Sequence, residues 1–283
     1  MELILGHNQF IGISHTSEER SIELQRKFYD AKIIYDVVEK AADLGFRNLV
    51  IEPHPQMLSF LEYYKKLNTF DMDFYLQVPN IQRYINKMND KGLSGLFMEI
   101  AQTEGAQSFT SMALKGILNF AKKDYFAIAM SALRLEVTPF TDVSIKALLL
   151  HNVITDLLLS LQIQGAFSDF VNNVRDDIQL NPGFVTLNFE LFKNSFEKWG
   201  FGEPLVMTPV NPKGYDMNPS KGHVESAIKS YKGEIMAMNI LGGGAFSINE
   251  ANDYLRSFNN IKFCVVGASS REHLRELMDV LSN

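Results

Sequence analysis

This chain of 283 residues has one cysteine, one tryptophan and no long apolar run. Cys264 alone cannot form an internal disulfide, so the chain is not a cystine scaffold and suits a reducing cytosol. No apolar stretch approaches the roughly 20 residues that span a bilayer, so no membrane partner is expected. The N-terminus carries Glu2 and no basic region, which does not read as a secretory signal. Lys and Arg number 27 against 33 Asp and Glu, a net charge of −6. Basic residues such as Lys65-Lys66 and Lys122-Lys123 come in pairs rather than stripes, so no nucleic-acid face is expected. Hydrophobic residues make up 46% and charged residues 21%, which excludes a disordered or fibrous chain. A cytoplasmic, globular protein with one large core remains.

Eight short apolar runs organise the rest. They are Glu2–Leu5, Asn48–Ile51, Asp73–Val78, Ile145–Leu150, Phe184–Asn188, Leu205–Pro209, Ile235–Ile240 and Lys262–Val266. They are continuous rather than alternating, the mark of strands covered on both faces and hence of a parallel sheet. Helical spacing recurs between most of them: Ile33, Ile34, Val37, Val38, Ala41 and Ala42, closed by Gly45, then Met57–Leu67, Leu191–Trp199, Val224–Tyr231, Ile248–Phe258 and Glu272–Leu281. Ser247 with Glu250, and Ser269 with Glu272, have capping-box spacing. Eight strands, each followed by a helical segment, predict a (β/α)8 TIM barrel in a single domain over 1–283. One interval breaks the rhythm: Pro79–Asp142 reads as an enlarged helical insertion between strands three and four, around Ile81–Met88, Leu93–Ala101, Met112–Ala121 and Tyr125–Val137. The competing reading makes Phe126–Met130 a ninth strand and breaks closure.

Barrel active sites lie at the C-terminal strand ends. Here those ends carry His7, Asn8 and Gln9; Glu52 and His54; Gln77 and Asn80; His151 and Asn152; Asn188 and Glu190; Asn211 and Lys213; Asn239; Ser269 and Ser270. Strand ends meet water, which accounts for part of this polarity. It accounts less well for three of six histidines at the mouth. Glu52, His54 and His151 are the candidate acid–base set, because a carboxylate and an imidazole converging in a barrel mouth can move a proton beside a carbonyl. Structural hydrogen bonding explains the same residues equally well. A metal held by His7, Glu52, His54 and His151 is not expected, since neither an HxH nor an HExxH pair occurs. Lys213 reads as a solvated loop lysine rather than a Schiff-base former.

The sharpest local signal follows strands seven and eight. Leu241-Gly242-Gly243-Gly244 runs into the helix at Ser247, and Gly267-Ala268-Ser269-Ser270-Arg271 opens the last helix. Glycines admit close backbone approach, and helix N-termini present N–H groups to an anion. Gly243, Gly244, Gly267, Ser269, Ser270 and Arg271 are therefore the candidate phosphate-binding residues; the bland reading of the glycines is a tight turn.

The stretch Ala245–Leu281 resembles the C-terminal end of the aldo-keto reductase superfamily, and Leu148–Asn152 resembles its fourth strand, which ends in an active-site histidine. The resemblance covers Glu234–Asn283, that strand and the β/α order. It implies a small-molecule substrate, a cofactor phosphate of NADP(H) near Ser269, Ser270 and Arg271, and His151 in the substrate pocket. The family's tyrosine after strand two and lysine at the end of strand three have no counterpart; Ile51-Glu52-Pro53-His54 and Gln77-Val78-Pro79 stand there, with Val78 at the lysine's place. The expectation is an NADP-linked oxidoreductase with an atypical catalytic set. The alternatives are an isomerase or lyase acting on a small phosphorylated carbonyl compound, and a catalytically silent binding barrel.

Overall fold

The computed structural model describes residues 1–14, 16–81, 83, 125–267 and 270–282. Eight strands close a parallel barrel in sequence order: β1 Glu2–Leu5, β2 Asn48–Ile51, β3 Asp73–Val78, β4 Ile145–Leu150, β5 Pro182–Val185, β6 Leu205–Pro209, β7 Ile235–Met238 and β8 Ile261–Val266. Closure is made by β1 on β8, with Leu5 opposite Val266. Around the barrel lie α1 Glu18–Lys27, α2 Ala31–Asp43, α3 Pro55–Leu67, α4 Tyr125–Val137, α5 Asn152–Ser160, α6 Gln164–Asn172, α7 Phe189–Trp199, α8 Lys221–Ser230, α9 Ile248–Leu255 and α10 Arg271–Leu281. This is the expected (β/α)8 TIM barrel. Phe126–Met130, the rival strand, lies within helix α4. The helical patterns Leu93–Ala101 and Met112–Ala121, and nearly all of Ile81–Met88, lie outside the described residues.

Two apolar layers hold the barrel. Alternation along each strand turns one side chain inward and the next outward. Ile4, Val50, Tyr75, Leu149, Met207 and Met236 fill the interior. The outward set, rich in phenylalanine, packs between sheet and helices; Phe184 alone meets the rings of Phe167, Phe170, Phe192 and Phe196. Gly183 is required by this packing. A Cβ there would lie 2.6 Å from Leu149 Cδ2 and 3.2 Å from the Leu205 carbonyl oxygen.

Several boundaries differ from expectation by a few residues, and three have a physical cause. Strand β5 begins at Pro182 and stops at Val185, because the Leu187 N–H donates to Asp156 Oδ2 at 3.0 Å rather than to the sheet. Strand β7 stops at Met238, because Asn239 turns to φ +54°. The last helix is capped by Ser270, whose Oγ accepts the His273 N–H at 3.3 Å. The capping spacing read at Ser269 thus falls one residue early, and Ser269 itself lies outside the described residues. The capping box of Ser247 and Glu250 forms as expected, and Gly45, at φ +103°, ends α2. Helix α1 was not expected. Its start is legible in retrospect: Ser17 caps it by accepting the Arg20 N–H, with Glu18 and Glu19 in the first turn.

Candidate active site

Strand parity decides what the barrel mouth contains. Two residues above Val50 comes Glu52, above Tyr75 comes Gln77, and above Leu149 comes His151. All three line one cavity of about 620 Å³ at the C-terminal end of the barrel. His7, just past β1, joins them: its Nε2 lies 3.5 Å from Glu52 Oε2, and both side chains are buried. The same alternation turns Val78 outward into the layer beneath the helices. The inward residue at the end of β3 is therefore Gln77, as expected, while Val78, at the place of the family's lysine, faces away from the cavity.

The protonation pattern follows from the surroundings. Burial pushes the Glu52 carboxyl up, but the hydrogen bond with His7 and the nearby His7, His151 and His54 rings outweigh it. The net position is below the ordinary carboxylate value, so Glu52 is ionised at neutral pH and His7 faces a carboxylate. His151 caps α5, its Nδ1 accepting the Val153 N–H at 3.2 Å. That bond fixes the neutral tautomer with hydrogen on Nε2. Burial lowers the His151 pKa, opposed by Glu52 and aided by His7, so the ring is neutral near pH 7. A neutral imidazole at a helix N-terminus is a hydrogen-bond donor suited to a carbonyl oxygen. His54 stands apart: it caps α3 by accepting the Gln56 N–H at 3.4 Å and does not line the cavity.

The tyrosine–lysine question has a geometric answer. Among the described residues no tyrosine and no lysine lines the cavity. Tyr75 faces the barrel interior one layer below Gln77, and burial pushes its phenol up to about 12. Neither Tyr215 nor Lys213 lines the cavity. Among the described residues, no group of three His, Cys, Asp or Glu is placed to hold a metal ion.

The other end of the cavity is built differently. Gly243, Gly244 and Gly267 edge it, with Arg20 of α1 and His273 of α10 nearby. Gly242, Gly243 and Gly244 take φ of +58°, +72° and +83°, which only glycine adopts freely in succession. Their turn consumes its own donors: the N–H groups of Gly244, Ala245 and Phe246 point to the Leu241 carbonyl, and that of Gly242 to Asn239. The N-terminus of α9 already holds the Glu250 carboxylate in its capping box. The turn thus engages the N–H groups of Gly242 and Gly244, while Gly243, Gly267 and Arg20 line the cavity. Arg271 is exposed and does not line the cavity. Sequence reasoning missed Arg20 because it missed α1.

Solved structures share this fold. A Pseudomonas aeruginosa protein assigned to the aldo-keto reductases superposes with a TM-score of 0.60 at 11% identity, covering 99% of this chain and 88% of that one. An aldo-keto reductase from Brucella melitensis gives 0.53 at 9%, covering 99% and 89%. A Bombyx mori aldo-keto reductase in complex with NADP gives 0.50 at 12%, covering 99% and 84%. No protein-family model matches the sequence, and no curated protein matches it. The chain has the barrel fold of the aldo-keto reductases, as its C-terminal resemblance implied.

Proposed function

We propose that this barrel is an NADP(H)-linked oxidoreductase acting on a small carbonyl compound or the matching alcohol. One observation carries the reading. The polar side chains His7, Glu52, Gln77 and His151 converge in a cavity that reaches the loops after β7 and β8, in a barrel with the aldo-keto reductase fold. The residues present fit the cofactor with a distinct grip. Among the described residues no Phe, Tyr or Trp lines the cavity, so its rings would lie on aliphatic side chains such as Met238 and Leu241. Arg20, with the backbone of Gly243 and Gly267 at the same edge of the cavity, would hold a phosphate.

A bound nicotinamide supplies or accepts the hydride at the carbonyl carbon. The protein handles the oxygen. His151 donates its Nε2–H to that oxygen and stabilises the charge that develops there. The His7–Glu52 pair holds the proton: in reduction it passes to the alkoxide oxygen and is regained from water, and in oxidation it is taken from the hydroxyl. A carboxylate paired with an imidazole does this work without a phenol beside an ammonium. The setting is cytoplasmic, the compartment a lone buried cysteine suits.

The test is titration of the protein with NADPH, followed by nicotinamide fluorescence, and then NADPH oxidation with simple aldehydes. Saturable binding with slow turnover of generic aldehydes is expected. No binding at millimolar NADPH would overturn the reading and favour the cofactor-free isomerase or lyase. Brisk turnover abolished by Tyr215→Phe or Lys213→Met would restore the ordinary phenol–ammonium mechanism.

A further inference from the structure

The cavity holds a second carboxylate that the proposed chemistry does not use. Asp216 lies in the loop after β6 and lines the cavity with Asn239, which follows β7. The Asn239 Nδ2 donates to Asp216 Oδ2 at 3.0 Å. Both residues take left-handed backbone, φ +58° and +54°. Non-glycine residues seldom adopt that conformation, and asparagine and aspartate tolerate it best. The loop is braced from below: buried Asn211 bonds both the N–H and the carbonyl of Tyr215, at 2.8 and 2.9 Å. The Asn218 N–H donates to the Leu187 carbonyl at 3.0 Å. A rigid support thus sets a carboxylate into the cavity wall. Among the described residues no lysine, arginine or histidine forms an ion pair with Asp216. Glu52, by contrast, faces His7.

We infer that Asp216 and Asn239 form a recognition site for a protonated primary amine on the substrate. With one amide N–H engaged, the pair offers two acceptors, the second carboxylate oxygen and the Asn239 side-chain carbonyl, and its net charge is negative. An ammonium has three donors and no acceptor, and a carboxylate favours it over a neutral hydroxyl. A quaternary ammonium is disfavoured, because such ligands are held by aromatic faces and no Phe, Tyr or Trp lines the cavity among the described residues. In the closed order β6 stands across the barrel from β2. The amine would therefore sit on the wall facing Glu52, which makes the substrate an amino-carbonyl compound or amino alcohol. That last step rests on the oxidoreductase reading; the amine site does not.

The experiment needs neither cofactor nor turnover. Calorimetry and 15N spectra of the Asn239 side-chain amide would follow 3-aminopropan-1-ol, butan-1-ol and choline at pH 7. The wild type should bind the amino alcohol at least about tenfold tighter than either of the others, with the Asn239 amide resonance moving. Asp216→Asn suits the same backbone and keeps a partner for Asn239, so it should fold and lose the preference. Equal affinities in the wild type, or a preference that survives Asp216→Asn, would overturn the proposal. An intact amine preference in a protein that does not bind NADPH would sink the oxidoreductase reading alone; the reverse result would sink only the amine site.

Discussion

The two halves of the barrel mouth are built by different means. On the β1–β4 side, the inward positions of the strands themselves carry Glu52, Gln77 and His151, and His7 follows β1 directly. On the β5–β8 side the same parity brings Leu187, Met238 and Gly267 inward. Polarity there comes from loops, through Asp216, Asn239 and the glycine turn, with Asp216, Asn239, Gly242, Gly243 and Gly244 all at positive φ. Side chains anchored on strands hold position to within the tolerance that proton transfer demands. Loops suit the fitting of a ligand's remaining groups. The division suggests chemistry on one side and recognition on the other.

The largest expected effects test the chemical side. Glu52→Gln and His151→Ala should each lower kcat by about 10²–10⁴, the usual loss for a positioned proton carrier or donor. Steady-state NADPH oxidation measures it, with a melting curve to confirm folding. His54→Asn, a cap outside the cavity, should cost under about tenfold. A loss at His54 as large as that at His151 would erase the distinction between residues that line the mouth and residues that cap beside it.

Much of this was legible in the sequence, and the reasons differ by element. The strands were legible because burial on both faces leaves continuous apolar runs such as Leu148-Leu149-Leu150. Glu52 and His151 were legible because they end such runs. The choice between Gln77 and Val78 was not, since it depends on which parity faces inward, and a run apolar on both faces does not declare it. The glycine loop was legible as a turn at the cavity, but not how its N–H groups are used. Three glycines look like an anion cradle, yet the turn spends the N–H groups of Gly242 and Gly244 on Asn239 and Leu241. Asp216 was hidden because its place in the cavity depends on a long-range bond from Asn239 and on a loop braced at Tyr215 by Asn211.

Asp156 joins the two halves, and its removal should have the next largest effect. From α5, whose start is His151, it accepts bonds from Thr186 Oγ1 and the Leu187 N–H. Thr186 Oγ1 in turn accepts the Asn188 N–H at 3.0 Å, at the start of α7. Asp156→Ala orphans these donors, at about 1–3 kcal/mol each when buried. Burial already pushes the Asp156 carboxyl up against these bonds, so part of the loss is offset. A fall in Tm of several degrees is expected, with a raised KM as Leu187 shifts in the cavity wall. An unchanged Tm would mean the two halves stand independently.

A smaller effect separates two arginines at the recognition side. Arg20 lines the cavity, whereas Arg271 is exposed and does not. Arg20→Ala should raise the dissociation constant for NADPH about tenfold, which is about 1.4 kcal/mol. Arg271→Ala should change it less than about twofold. The reverse order would return the phosphate to the position the sequence first suggested. Fluorescence titration decides between them.

The smallest effect is on stability against pH, and its sign follows from the histidines. Burial is the main cause that lowers both His151 and His54 below the ordinary histidine value of 6.5, with Glu52 opposing. A group whose folded pKa is depressed binds fewer protons folded than unfolded in the window between the two values. Its contribution is therefore complete above the unfolded value near 6.5 and is lost as pH falls through the lower folded one. Tm should be flat from pH 8 to about 7 and decline below 6.5. Glu52, also depressed, adds its own loss only further down, below the ordinary glutamate value of 4.5. The first decline belongs to the chemical side of the mouth, so His151→Asn should make it shallower, leaving the share of His54, while Arg20→Ala leaves it in place. A Tm that rises as pH falls from 7 to 5.5 would mean that these imidazoles are charged in the folded protein. His151 would then meet the carbonyl oxygen as a cation rather than as the neutral donor fixed by Val153.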